Sequence, residues 1–124
     1  MAGLSNRISY VFAGLVVANR DQAADWYARL IGRPADMLPN DSEAAWQLVG
    51  SASLYLLEQP QRAGRGVLTL VIDDLDAMLA EIAARGLAPG PVEDVGTAGR
   101  KSVLTDRDGN TVSIVELAGD AHDS

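Results

Sequence analysis

Hydrophobic and polar positions along this chain switch between two periods, and they do so twice in the same order. Residues 8–17 are apolar nearly throughout, which predicts a strand covered on both faces. Ala23, Tyr27, Leu30 and Ile31 then share one helical stripe, with Trp26 at its edge. Asn19, with Gln22 three residues on, matches a helix start, and Gly32 and Pro34 match its end. Residues 35–43 read as a loop around Pro39-Asn40-Asp41-Ser42, with room for a short strand near 35–38. Residues 44–49 and 53–58 predict two short strands joined at Gly50-Ser51.

A polar Pro/Gly connector, residues 59–66, precedes the second round. Residues 67–72 predict a strand, and Asp74 caps a helix whose stripe is Leu75, Met78, Leu79 and Ile82. Gly86 ends that helix, and residues 91–95 leave room for one irregular strand. Residues 99–105 and 111–117 flank Asp106-Arg107-Asp108-Gly109-Asn110 and predict a hairpin, because Gly109 accepts the positive φ such turns demand. The turn has the acidic spacing of a calcium loop only in outline, without flanking helices or a distal glutamate, and reads as a turn. Residues 118–124 read as a frayed tail.

The halves superpose by pattern, Gly14-Leu15-Val16-Val17-Ala18-Asn19 against Thr69-Leu70-Val71-Ile72-Asp73-Asp74. The predicted fold class is therefore α+β: two βαβββ modules, residues 8–59 and 67–117 with linker 60–66, forming one domain. Their sheets make a concave, incomplete barrel with the helices outside.

Composition narrows the function. The chain has 124 residues, no cysteine, one histidine and a formal charge of −7. Thiol nucleophiles, thiolate metal sites and disulfides are excluded. The acidic balance and the lack of a Lys/Arg face argue against nucleic acid. No apolar run reaches the roughly 18 residues of a membrane span, and the first residues lack a signal-peptide core, so the expected location is cytoplasmic. The serines have no histidine base nearby, since His122 sits in the tail.

The chain resembles the vicinal oxygen chelate superfamily, the glyoxalase / bleomycin-resistance / dioxygenase group. The resemblance rests on Gly14-Leu15-Val16-Val17, Asp25-Trp26-Tyr27-Ala28-Arg29-Leu30-Ile31-Gly32, Val71-Ile72-Asp73-Asp74-Leu75-Asp76-Ala77 and Asp106-Arg107-Asp108-Gly109-Asn110. Arg107 departs from the proline usual in that turn. The metalloenzymes of the group place His and carboxylate ligands on the first and last strands of each module. The resemblance puts those positions at Phe12, Tyr55, Val67 and Ser113. None is a histidine or carboxylate, so no metal, no cofactor and no catalytic residue is expected.

Strand alternation says what stands there instead. Phe12 brings Tyr10, Gly14 and Val16 to its face; Tyr55 brings Leu57, Val67 brings Thr69 and Val71, and Ser113 brings Val115. The expected ligand wall is Phe12, Gly14, Trp46, Tyr55, Leu57, Val67, Thr69, Ser113 and Val115, with the facing of Trp46 undecided by pattern and with core filling as the alternative for Phe12 and Val67. The expected function is metal-independent binding of an apolar or cationic small molecule, with a homodimer implied by the resemblance. The alternatives are an enzyme using Tyr55, Ser113, Glu58 or Glu116, and an interaction module with a filled core.

Overall fold

The computed structural model describes residues 7–118. His122 and nearly all of the predicted tail lie outside them. The first strand, β1 (Val11–Val17), leads through Asn19 into helix α1 (Arg20–Ile31). The Asn19 side chain accepts the Gln22 backbone N–H, and Gly32 closes the helix with φ 100°, donating its N–H to the Ala28 carbonyl. Three strands follow: β2 (Met37–Asn40), β3 (Glu43–Val49) and β4 (Ala52–Glu58). The second round repeats this order as β5 (Val67–Val71), α2 (Leu75–Ala84), β6 (Glu93–Asp94), β7 (Arg100–Thr105) and β8 (Thr111–Glu116).

These strands form two four-stranded sheets, ordered β1-β4-β3-β2 and β5-β8-β7-β6. In each sheet the first strand runs parallel to the last of its round, and the other pairs are antiparallel. The edge strands β1 and β5 do not join in one ladder, so the architecture is α+β with no closed barrel. β6 is only two residues long, shorter than the predicted 91–95, because Pro91 and Gly96 bracket it.

One face of each sheet carries the core. Leu15, Val17, Leu54, Leu56 and Trp46 of the first sheet, Val112, Ile114 and Leu104 of the second, Ala23, Tyr27 and Leu30 of α1, and Leu75 and Ile82 of α2 belong to one buried cluster. The other face stays open. β1 is apolar on both sides, yet Phe12 is 54% exposed, which corrects the expectation that both faces are covered.

The Asp106 turn binds the two halves together. Asp106 is 7% exposed. Its oxygens accept the Asp108 and Asn110 backbone N–H groups at 2.8 and 2.9 Å, the Asn110 side-chain amide at 2.9 Å and the Tyr27 hydroxyl of α1 at 2.8 Å. Asn110 also donates to the Val16 carbonyl and accepts from Gly66 N–H, while Asp108 accepts from Ala18 N–H. Gly109, at φ 103°, lets the turn close.

Burial first, then the neighbouring Asp106 charge, raises the Tyr27 hydroxyl pKa far above its usual 10. Up to about pH 10 Tyr27 is neutral in both states. Above it the unfolded chain releases the proton and the folded chain keeps it, so stability falls by about 1.4 kcal/mol per pH unit. Denaturant unfolding at pH 8 and pH 11 should show this loss, and Tyr27→Phe should lose less over the same interval. Equal losses in both proteins would rule out Tyr27 as the source.

Candidate functional site

Each sheet turns one face away from its helix, aromatic in the first sheet and apolar with hydroxyls in the second. Register fixes the rows: Phe12 pairs with Ser53, Gly14 with Tyr55 and Val16 with Leu57; Val67 pairs with Thr111, Thr69 with Ser113 and Val71 with Val115. Eight of the nine sequence-predicted wall residues therefore fall into two sets: Phe12, Gly14, Tyr55 and Leu57 share one face of the first sheet, and Val67, Thr69, Ser113 and Val115 share one face of the second. Tyr10 continues the aromatic row. Its ring lies 4.8 Å from that of Phe12, and Phe12 lies 6.3 Å from Tyr55 in an edge-on arrangement. The Tyr10 hydroxyl sits 2.6 Å from the Ser53 hydroxyl, which fixes the tyrosine against the sheet.

Gly14 makes room for this cluster. A Cβ there would come within 2.7 Å of the Tyr55 ring, so only glycine lets Tyr55 lie across β1.

Trp46 is the exception among the predicted wall residues. It pairs with Leu54, faces α1 and is fully buried, with its ring 6.4 Å from that of Tyr27. Its indole N–H donates to the Arg33 carbonyl at 2.9 Å. A side chain this large on the helix-facing parity has its packing and its hydrogen bond supplied by the core, and none of it reaches the open face.

The positions where the resemblance puts metal ligands hold Phe12 and Tyr55 on one face of the first sheet and Val67 and Ser113 on one face of the second. Neutral hydroxyls and hydrocarbon do not fit a divalent ion, which calls for imidazole or carboxylate donors. Among the described residues, no three His, Cys, Asp or Glu side chains converge in a way that could hold a metal.

The two glutamates considered as acid–base groups are engaged elsewhere. Glu58 accepts the Arg20 N–H at the start of α1 (2.7 Å), and Glu116 accepts the Leu75 N–H at the start of α2 (2.9 Å). The Leu75 N–H and then Arg100 hold Glu116 below the usual carboxylate range. Both therefore serve as helix-end acceptors.

Two arginines, Arg62 and Arg65, border this face of the first sheet and were not singled out in the sequence. The chain brings them there through a short helical turn (Pro60–Arg62) in the linker. Only their place in a Gly-rich connector hinted at it, and that hint was not specific.

A solved glyoxalase / bleomycin resistance protein from Catenulispora acidiphila superposes with a TM-score of 0.84 at 33% identity, covering 90% of this chain and 100% of that one. The chain belongs to the glyoxalase / bleomycin resistance family. This family lies within the vicinal oxygen chelate superfamily. A bleomycin-binding protein solved with bleomycin aligns at TM-score 0.73 and 19% identity, over 90% of this chain and 100% of that one. An antibiotic-binding protein, TnmS3, from Streptomyces sp. CB03234 aligns at TM-score 0.72 and 25% identity, over 90% of this chain and 98% of that one. No protein-family model and no curated protein matches the chain at significance. No helix among the described residues is long and apolar enough to cross a membrane.

Proposed function

We propose that this family member is a metal-independent binding protein that holds an aromatic or apolar small molecule on its open face. One observation carries the reading. Phe12 is 54% exposed on the face of the first sheet that also presents Tyr10 and Tyr55, and Val67 and Val71 are 72% and 57% exposed on the matching face of the second. Apolar residues grouped like this in water mark a binding surface, whereas scattered ones do not. The few polar groups among them, the hydroxyls of Tyr55, Thr69 and Ser113, suit orientation of a ligand. The bleomycin-binding and antibiotic-binding relatives support the same use of the fold. The chain acts as a homodimer in the cytoplasm, the second copy shielding a face that one chain leaves in contact with water.

Thermal-shift measurements against zinc, manganese and magnesium salts, bleomycin and a set of fused-ring aromatics test this. Bleomycin or an aromatic compound should raise the melting temperature, since whatever binds only the folded state stabilises it. A saturable shift with a divalent ion would overturn metal independence. Phe12→Ala and Tyr55→Ala should each weaken binding of the compound found by more than about 1 kcal/mol. Unchanged affinity by titration calorimetry, in variants that keep their melting temperature, would take these residues out of the site.

A further inference from the structure

We propose that the ligand of the open face carries an anionic group, of carboxylate or sulfonate class, seated by Arg62 and Arg65 beside β1. This deepens the binding reading above and rests on it. A hollow of about 390 Å³ lies between β1 and the linker, bounded by Gly14, Val16, Gln61, Arg62, Arg65 and Gly66. Gly14 and Val16 belong to the open face, and the Tyr55 ring lies against Gly14. The hollow and the aromatic row therefore meet at Gly14.

Five of the ten basic side chains make no ion pair among the described residues, and Arg62 and Arg65 are the two of these that line the hollow. Arg20, Arg29, Arg33, Arg85 and Arg100 each have a carboxylate partner. Arg62 instead donates to the Gln59 side-chain oxygen at 2.8 Å, and Arg65 makes no ion pair among the described residues. Arg62 and Arg65 thus border this hollow with no carboxylate partner among the described residues. Net charge does not decide what binds there, because screening confines each charge to about 8–10 Å. Glu43 lies on the open face of β3, paired with Leu57 and one strand further from the hollow than β4. Guanidinium groups match the planar geometry of a carboxylate or the oxygens of a sulfonate, and the bonds are charge-assisted. An aromatic acid would place its ring on Phe12 and Tyr55 and its anion at the linker. A cationic ligand would meet no carboxylate lining this hollow.

Titration calorimetry with 2-naphthoate, 2-naphthamide and 2-naphthylmethylammonium separates the possibilities, because the three share a ring and differ in charge. The naphthoate should bind about tenfold more tightly than the amide, and the ammonium more weakly than the amide. In an Arg62→Gln, Arg65→Gln double variant the naphthoate should fall to the level of the amide while the amide is unchanged. Both side chains are exposed, so the melting temperature serves as the control for folding. Equal or tighter binding of the amide or ammonium by the unmodified protein would overturn the charge assignment and leave small-molecule binding standing. So would a naphthoate preference that survives in the double variant. Failure of all three compounds to bind at millimolar concentration would overturn the binding reading itself for ligands of this kind.

Discussion

Asp106→Ala is expected to lower the free energy of unfolding by about 3–4 kcal/mol, because removing one partner from a buried charged network leaves the others unpaired. Four donors converge on this carboxylate, from Tyr27, Asp108 and twice from Asn110. Alanine strands the Tyr27 hydroxyl in the core and releases Asn110, which itself holds the Val16 carbonyl and the Gly66 N–H of the seam. Asp106→Asn should cost less, since one oxygen still accepts, although its NH2 faces donors. Guanidinium unfolding monitored by tryptophan fluorescence measures both. A loss below about 1 kcal/mol for the alanine variant would show that the seam does not depend on this side chain.

Trp46→Ala is expected to cost a further class of energy, about 3–5 kcal/mol, from lost burial and from the cavity left behind. The residue is fully buried between β3 and α1, and its N–H satisfies the Arg33 carbonyl. Trp46→Phe, which keeps most of the ring volume, should lose roughly half as much. Naphthoate affinity should be the same in Trp46→Phe as in the unmodified protein, since this side chain does not reach the open face. A drop in affinity at constant folding would return Trp46 to the ligand wall.

Much of this was legible in the sequence because it follows from periodicity. The caps at Asn19 and Asp74, the left-handed Gly32, the Asp-Gly turn and the alternation along β1, β4, β5 and β8 are local patterns, and the structure shows each of them. Trp46 was not legible, because in a run of Ala44-Ala45-Trp46 both parities are apolar and alternation carries no information about which side faces the helix. The role of Glu58 and Glu116 was hidden for another reason. Each bonds a helix N-terminus next to it in space, 38 and 41 residues away in sequence. The Asp106 network had the same obstacle. The turn was evident, but its bond to Tyr27 spans 79 residues, and nothing local marks a turn carboxylate as a buried acceptor. Arg62 and Arg65 were hidden by composition, since a Pro/Gly connector reads as solvent-facing whatever it borders.

That connector has a consequence for anyone re-engineering the chain. Its polar Pro/Gly make-up marks it as a place to open the backbone for a circular permutant or to splice in another sequence. The bonding points the other way. Gln59 N–H reaches the Val17 carbonyl, Gly64 N–H reaches Val16, and Gly66 N–H reaches Asn110. Gly64 holds φ 94° against the backbone of Asp108, where no Cβ fits. New termini here would unstitch the joint between the halves, whereas the exposed tip at Gly50-Ser51, whose carbonyls accept, among the described residues, only from Val11 N–H and the Gln47 side chain of the same sheet, takes no part in that joint and is the better site for insertion.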